Sequence, residues 1–137
     1  MFVDASAIVA ILTREPDADA LTDALDTAVS PVTSPIAVFE AVLGICRKRH
    51  ASVAESQRDV LDFLTVAGIH IGHIGAREAE TALDAAARYG KGRSHPAQLN
   101  LGDCFAYASA KNLQISLLFK GEDFDKTDIL SGTPAPE

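Results

Sequence analysis

Short apolar runs alternate with segments of helical periodicity along almost the whole of this 137-residue chain. The alternation predicts strands at residues 2–4, 28–32, 69–74 and 115–119, helices at 6–13, 15–25, 35–50, 76–89 and 101–111, a helix starting near Ser52, and a short closing element at 124–129. Strands separated by helices form βαβ units, and the parallel sheet that they build is covered on both faces. We therefore expect an α/β sandwich, in a chain long enough for one domain.

Two of the helices have clear N-terminal signals. Ser34 followed by Pro35 is typical of an N-cap with proline at the first helical position. Ser52 with Glu55 forms a capping-box pattern. The buried sides are predicted to be Ile36, Phe39, Val42 and Leu43 in the first helix, and Val60, Leu61, Phe63 and Leu64 in the second.

Composition limits the classes of protein to consider. Asp, Glu, Thr or Ser interrupts every apolar stretch, so none is predicted to span a bilayer. An acid at position 4 does not suit the basic start of a signal peptide, and we expect a cytoplasmic protein. Cys46 and Cys104 lie in apolar helical patterns without CxxC spacing, and they are interpreted as core residues.

The net charge of −7 disfavours long-range attraction to nucleic acid. Two explanations remain open from composition alone. The acids could gather in a metal-binding cluster while basic residues are grouped elsewhere. Alternatively, the protein does not contact nucleic acid.

Three acids occur where a ligand site would be expected. Asp4 ends the first predicted strand, Glu40 lies among apolar residues of a helix, and Asp103 opens another helix. Each also has an ordinary explanation: Asp4 as an N-cap, Glu40 on a narrow solvent-facing stripe, and Asp103 as a favourable charge at a helix N-terminus. Ligands in open parallel sheets collect at the carboxyl ends of the strands, which favours a shared site.

A fourth acid follows the last predicted strand. Asp123 is the candidate, although spacing does not decide between it and its neighbours Glu122 and Asp125. Carboxylates that converge without basic partners repel one another, and their pKa values rise. Mg²⁺ or Mn²⁺ would relieve that repulsion and could activate water against a phosphodiester. The sequence shows no GxSxG or Cys/His signature of a protein nucleophile.

Four segments of the chain resemble the PIN domain of VapC-type toxins. They are Phe-Val-Asp4-Ala-Ser6-Ala, Pro-Ile-Ala-Val-Phe-Glu40, Leu99-Asn100-Leu101-Gly102-Asp103-Cys104-Phe-Ala-Tyr-Ala, and Leu118-Phe-Lys-Gly121-Glu-Asp123-Phe-Asp-Lys-Thr127-Asp128-Ile. They occur in order and at the right separations over nearly the whole chain.

This resemblance implies a three-layer α/β/α sandwich with a central parallel sheet over residues 1–130. Residues 131–137 are rich in Pro, Gly and Ser and are predicted to form a flexible tail. The resemblance also implies an Mg²⁺- or Mn²⁺-dependent endoribonuclease, the toxin of a toxin–antitoxin pair, that forms a homodimer and is inhibited by a VapB-like antitoxin. Asp4, Glu40 and Asp103 match the three main acids of the family, and Asp123 matches the fourth approximately. Ser6 matches a hydroxyl that orients the first acid, and Thr127 matches a threonine of the closing motif.

Two groups of basic residues could hold RNA phosphates despite the negative net charge. One is Arg88, Lys91, Arg93 and His95; the other, Arg47, Lys48, Arg49 and His50, ends the Glu40 helix. Ordinary explanations are a solvated loop for the first group and helix C-terminal cations for the second. His70 and His73 lack a third metal-ligand neighbour and are interpreted as structural or exposed.

Other functions fit the residues less well. A haloacid-dehalogenase-type phosphatase would have a second Asp two residues after Asp4, where Ser6 stands, and a receiver domain would have paired acids that are not visible. The alternative of a different class is a catalytically silent PIN-like module that binds RNA or a partner. A silent module has no need to hold repelling carboxylates together.

Overall fold

A computed structural model describes residues 1–134. Its strands are β1 (Phe2–Val3), β2 (Val32–Thr33), β3 (His70–Ile71) and β4 (Leu117–Leu118). Its helices are α1 (Ala5–Leu12), α2 (Ala18–Asp26), α3 (Pro35–Arg49), α4 (Val53–Ala67), α5 (Ala76–Tyr89) and α6 (Leu101–Leu113), with a 3₁₀ turn at Phe124–Lys126.

The four strands form one parallel sheet in the order β3-β2-β1-β4. Phe2 is in register with both Val32 and Leu117. The first two crossovers run towards β3 and the last returns to β4, so right-handed connections place α1–α4 on one face and α5–α6 on the other. The α/β/α sandwich predicted from the sequence is confirmed.

The starts of α3 and α4 are confirmed, since Ser34 and Ser52 both cap as predicted, whereas the helix predicted from residue 15 begins only at Ala18. The buried faces of α3 and α4 differ in part. Phe39 is 65% exposed and Leu61 is 39% exposed, so their prediction as buried residues was wrong. Helix α3 is apolar around most of its circumference, and the smaller Ala37 and Ala41 face the core instead.

Two further predictions concern single residues and the C-terminus. Cys104 is buried, Cys46 is partly buried, and both are free thiols. Gly132 N–H donates to the Leu117 carbonyl at 2.7 Å, so the segment predicted as a tail from Ser131 is attached to β4 at its start. Residues 135–137 lie outside the described part. No helix in residues 1–134 is long and apolar enough to cross a membrane.

Candidate metal centre

The predicted acids meet at the carboxyl ends of β1 and β4. Connections leave these neighbouring strands in opposite directions, which is where crevices open in α/β sheets. A cavity of about 330 Å³ lies there, and Asp4, Ser6, Glu40 and Asp103 line it. Four predicted site residues from three separate segments are therefore brought together.

Asp4 is both a helix cap and a cavity residue. Its side chain is buried, and Oδ2 accepts hydrogen bonds from Ser6 N–H at 3.0 Å and Ser6 Oγ at 2.6 Å. The Ser6 hydroxyl in turn accepts from the backbone N–H of Lys120 at 3.0 Å. Burial raises the pKa of Asp4. The first acid is thus held by Ser6, which is itself tied to the end of β4.

Glu40 depends on the absence of a side chain at Gly102. A Cβ built at position 102 would lie 2.1 Å from one Glu40 carboxylate oxygen and 2.2 Å from the other. Only glycine allows α6 to begin this close to the acid. Burial, followed by the charges of Asp4 and Asp103, raises the pKa of Glu40 to about 7. The carboxyl group therefore lies in the field of two other acids.

Asp103 closes a capping box with Asn100. Asp103 N–H donates to Asn100 Oδ1 at 2.9 Å, and Asn100 N–H donates to Asp103 Oδ2 at 3.0 Å. The second bond uses Oδ2, and Oδ1 has no hydrogen-bond partner among residues 1–134, while the residue lines the cavity of the other acids. Burial, together with the charges of Asp4 and Asp123, raises the pKa of Asp103 to about 6 despite the opposing effect of the Asn100 N–H.

The segment after β4 contributes less directly. Glu122, Asp123 and Asp125 are all exposed, and none of them lines the cavity. Asp123 is nevertheless close enough for its charge to raise the pKa of Asp103, which favours it as the fourth acid. Thr127 Oγ1 donates to the Phe124 carbonyl at 2.7 Å and accepts from Ile129 N–H at 3.2 Å, so it stabilises the turn that follows.

Asp128 anchors the same segment to α6. Tyr107 donates its hydroxyl hydrogen to Asp128 Oδ1 at 2.6 Å, and Lys111 Nζ donates to Oδ2 at 2.8 Å. These donors lower the pKa of Asp128 to about 2. Burial, followed by the hydrogen bond to the Asp128 carboxylate, raises the pKa of Tyr107 well above its ordinary value. The anchor limits how far Asp123 can move from α6.

The donor set fits a hard divalent cation. Within residues 1–134 no three His, Cys, Asp or Glu side chains are already close enough to hold one metal ion. The acids do share one cavity, where the charges of Asp4 and Asp103 help to raise the pKa of Glu40 and the charge of Asp4 helps to raise that of Asp103. Carboxylate oxygens are the ligands that Mg²⁺ and Mn²⁺ prefer. A bound cation would offset the repulsion between the carboxylates and lower their pKa values.

Among the basic residues Arg88, Lys91, Arg93 and His95, some side chains are already engaged in contacts within the protein. Arg88 bonds to the Tyr89 hydroxyl at 2.6 Å, and the His95 ring packs edge-on against Tyr89 at 4.9 Å. Lys91 and Arg93 are exposed beside a second, mainly apolar cavity. RNA binding by this group stays a prediction. His70 and His73 are exposed, as interpreted from the sequence.

The structure adds basic residues that no motif had placed at the cavity. Arg47, Lys48 and Lys120 line it, together with Glu15. A signal was available for the first two, since positions seven and eight residues after Glu40 return to the same helix face. Lys120 and Glu15 are 105 residues apart in sequence, and spacing gives no hint that they meet.

The raised pKa of Glu40 predicts how stability depends on pH. Between its ordinary value of 4.5 and about 7, the folded metal-free protein holds a proton that the unfolded chain releases. The free energy of unfolding should therefore fall as pH rises through this window. Glu40→Gln removes the titration, so its advantage over wild type should grow from pH 4.5 to 7 in urea unfolding with EDTA. Glu80→Gln, on the exposed face of α5, is the control. If the free energies of unfolding of Glu40→Gln and wild type changed in parallel with pH, the raised pKa of Glu40 would be contradicted.

The chain is similar to known proteins over almost its whole length. A family model described as the PIN domain matches residues 1–130. A VapC ribonuclease of Rhizobium meliloti is 41% identical, with 93% of this chain and 98% of the relative covered. A ribonuclease VapC of Mycolicibacterium smegmatis is 40% identical, with 94% and 97% covered.

Two solved structures share the fold. VapC20 of Mycobacterium tuberculosis, described as a sarcin–ricin loop cleaving toxin, has a TM-score of 0.76 at 14% identity, covering 97% of this chain and 98% of that one. A toxin–antitoxin complex from Klebsiella pneumoniae has a TM-score of 0.67 at 18% identity, covering 99% and 97%.

Proposed function

Since the chain belongs to the PIN-domain family and is a metal-dependent ribonuclease of the VapC type, we propose that Asp4, Glu40 and Asp103 bind its divalent cation. The observation that carries this assignment is the shared cavity, where the charge of Asp4 helps to raise the pKa values of both Glu40 and Asp103. Asp123 is proposed as the fourth acid, reaching the site from the loop after β4. The relatives are ribonucleases, so the enzyme predicted from the sequence is favoured over the silent module.

We propose Mg²⁺ or Mn²⁺ as the cation, because every candidate ligand is a carboxylate. When bound, such a cation lowers the pKa of its water and stabilises negative charge on a phosphodiester. The protein's own residues hold the ligands in place. Ser6 fixes Asp4, Asn100 fixes Asp103, and Gly102 leaves room for Glu40.

The partners follow from the type of toxin. VapC toxins act on RNA and are paired with antitoxins. For this chain we propose a VapB-like antitoxin that covers the acidic cavity with a basic or bulky side chain, and a homodimeric toxin. Discrimination between RNAs would reside in the loops around the cavity, so structured RNA loops are the first substrates to offer.

Metal removal tests the proposal. The purified protein should cleave a transcript that contains the sarcin–ricin loop, or a tRNA, when Mg²⁺ or Mn²⁺ is present. Cleavage should stop in excess EDTA and return when the cation is restored in excess, because no protein nucleophile replaces it. Circular dichroism in EDTA is the control for intact folding. Undiminished cleavage in excess chelator would contradict the metal assignment.

A further inference from the structure

The cavity that holds the acids continues as a groove between α1 and α3. Asp4 and Glu40 line it, and so do Glu15 and Lys48. Lys48 follows Glu40 by eight positions on α3, which is about 12 Å along the helix axis. We therefore describe the groove as having an acidic end at Glu40 and a basic end at Lys48.

Close packing of small residues keeps the groove narrow and its walls in place. A Cβ at Gly44, midway between Glu40 and Lys48 on α3, would lie 2.9 Å from Val9 Cγ2 of α1. Gly44 and Val9 both line the groove. This contact sets the distance between α1 and α3 at the middle of the groove, between its two charged ends.

One carboxylate organises the basic end. Glu15 is only 12% exposed at its side chain and forms ion pairs with both Lys48 and Lys120. The lysine side chains remain 47% and 39% exposed, so their ammonium groups lie at the groove mouth. An exposed lysine normally samples many rotamers, whereas a shared buried partner reduces that freedom before a ligand arrives.

The charges of the basic side chains along the groove and of their partners do not cancel. Arg47 also lines the groove, with its guanidinium 3.9 Å from the position of a Cβ at Gly44, and it forms no ion pair within the described residues, 1–134. Against these three cations stand Glu15 and, 3.9 Å from Lys120 Nζ but outside the groove lining, Asp17. A net positive charge remains, in a protein whose overall charge is −7. Such a local excess attracts anions even when the net charge is negative.

We propose that Lys48 and Lys120, positioned by Glu15, form a subsite for an RNA phosphate that neighbours the one being cut. This assignment rests on the proposed function, because the acidic end is taken as the place of cleavage. Lys120 connects the two ends physically: its backbone N–H donates to Ser6 Oγ, which holds Asp4, while its ammonium group reaches Glu15. A strand of RNA that lies in the groove meets both ends in sequence.

Salt dependence of binding separates this role from a purely structural ion pair. The probe is a fluorescein-labelled, unstructured single-stranded RNA, followed by anisotropy in EDTA so that it is not cut. Lys48→Gln/Lys120→Gln should weaken binding several-fold and reduce the slope of log Kd against log salt by about 0.7, the contribution of one phosphate contact on a single strand. Arg58→Gln removes one charge from exposed α4, outside the groove, and should leave the slope unchanged.

A second variant guards against misfolding. Removing both lysines leaves Glu15 without its cations, so Glu15→Gln/Lys48→Gln/Lys120→Gln is made alongside, and its melting temperature is compared with wild type. The same reduced slope is expected in this triple variant. Unchanged slopes in both variants would overturn the subsite and leave the lysines as a structural brace that ties α3 and the segment after β4 to the loop after α1.

Mn²⁺ titration distinguishes the two proposals. The double-lysine variant should bind Mn²⁺ as wild type does, and with the cation present its cleavage defect should appear mainly as a higher KM. A wild-type protein that fails to bind Mn²⁺ would contradict the metal centre, while the salt slopes would still decide the lysine subsite. A double-lysine variant that loses Mn²⁺ affinity but keeps its salt slope would instead overturn the subsite.

Discussion

Asp103→Asn is expected to reduce RNA cleavage by orders of magnitude while leaving the metal-free protein at least as stable as wild type. The side chain sits in a capping box, and its carboxylate also faces the acids of the cavity. An amide of the same shape can still accept the hydrogen bond from Asn100 N–H. It cannot supply the negative charge that a divalent cation requires.

The change in stability follows from electrostatics. The charges of Asp4 and Asp123 help to raise the pKa of Asp103 to about 6, so at pH 8 the metal-free protein holds a repelled carboxylate there. Removing the charge relieves that repulsion and lessens the repulsion on Glu40. A residue that served only the helix N-terminus would behave in the opposite way, since its loss costs about 0.3–1 kcal/mol and leaves activity intact.

Thermal melts in EDTA and an RNA cleavage assay measure the two quantities. Asp84→Asn is the matched control, because it removes one carboxylate charge from exposed α5 without touching the cavity. It should leave both the melting temperature and the cleavage rate close to wild type. An Asp103→Asn protein that melts lower and cuts RNA at the wild-type rate would mean that the acid is a cap and no ligand.

Asp4 and Asp103 show why single residues were ambiguous in the sequence. Asp4 could be explained as an N-cap and Asp103 as a favourable charge at a helix N-terminus. In the structure Asp4 is the N-cap of α1, and Asp103 is the capping-box partner of Asn100 in the first turn of α6. The capping bonds occupy Oδ2, and each carboxylate also lines the cavity. The two interpretations were therefore compatible, and only the shared position of the acids pointed to a site.

The order of helices and strands was predictable because it depends on local periodicity. The exact lengths of the strands and the faces that each element buries were not predictable. The predicted strand at residues 69–74 is only His70–Ile71, both exposed, because β3 is an edge strand. The exposure of Phe39 was not predictable, because the sequence of an apolar helix does not reveal which side meets the sheet. Such features depend on packing between distant segments.

Contacts between distant segments also determine the finer parts of the site. Gly102 and Glu40 are 62 positions apart and belong to two different sequence motifs. The motifs identify each residue, but they do not reveal that the two are in contact. The pairing of Glu15 with Lys120 is similarly invisible to spacing. These contacts require the sheet order, which places the ends of β1 and β4 side by side.

Gly102→Ala is expected to abolish most of the RNA cleavage without destabilising the fold. The added methyl group would overlap the Glu40 carboxylate, whose oxygens lie 2.1 and 2.2 Å from the position of the new Cβ. A carboxylate at the end of a flexible side chain can move aside at low cost. Alanine in place of glycine within a helix is itself favourable by about 0.5–1 kcal/mol. Stability should stay level or rise while Glu40 is displaced from the cavity.

Mn²⁺ affinity is the measurement that reveals this displacement. Gly102→Ala should bind Mn²⁺ more weakly than wild type in a calorimetric titration, and its cleavage rate should fall with it. Gly75→Ala is the matched control, because Gly75 precedes α5 and a Cβ there would meet nothing closer than Glu78 Oε2 at 3.7 Å. Glu40→Gln/Gly102→Ala should lose little more activity than either single variant, because both changes act on the same carboxylate. If Gly102→Ala binds Mn²⁺ and cuts RNA as wild type does, Glu40 is not held at the metal position by Gly102.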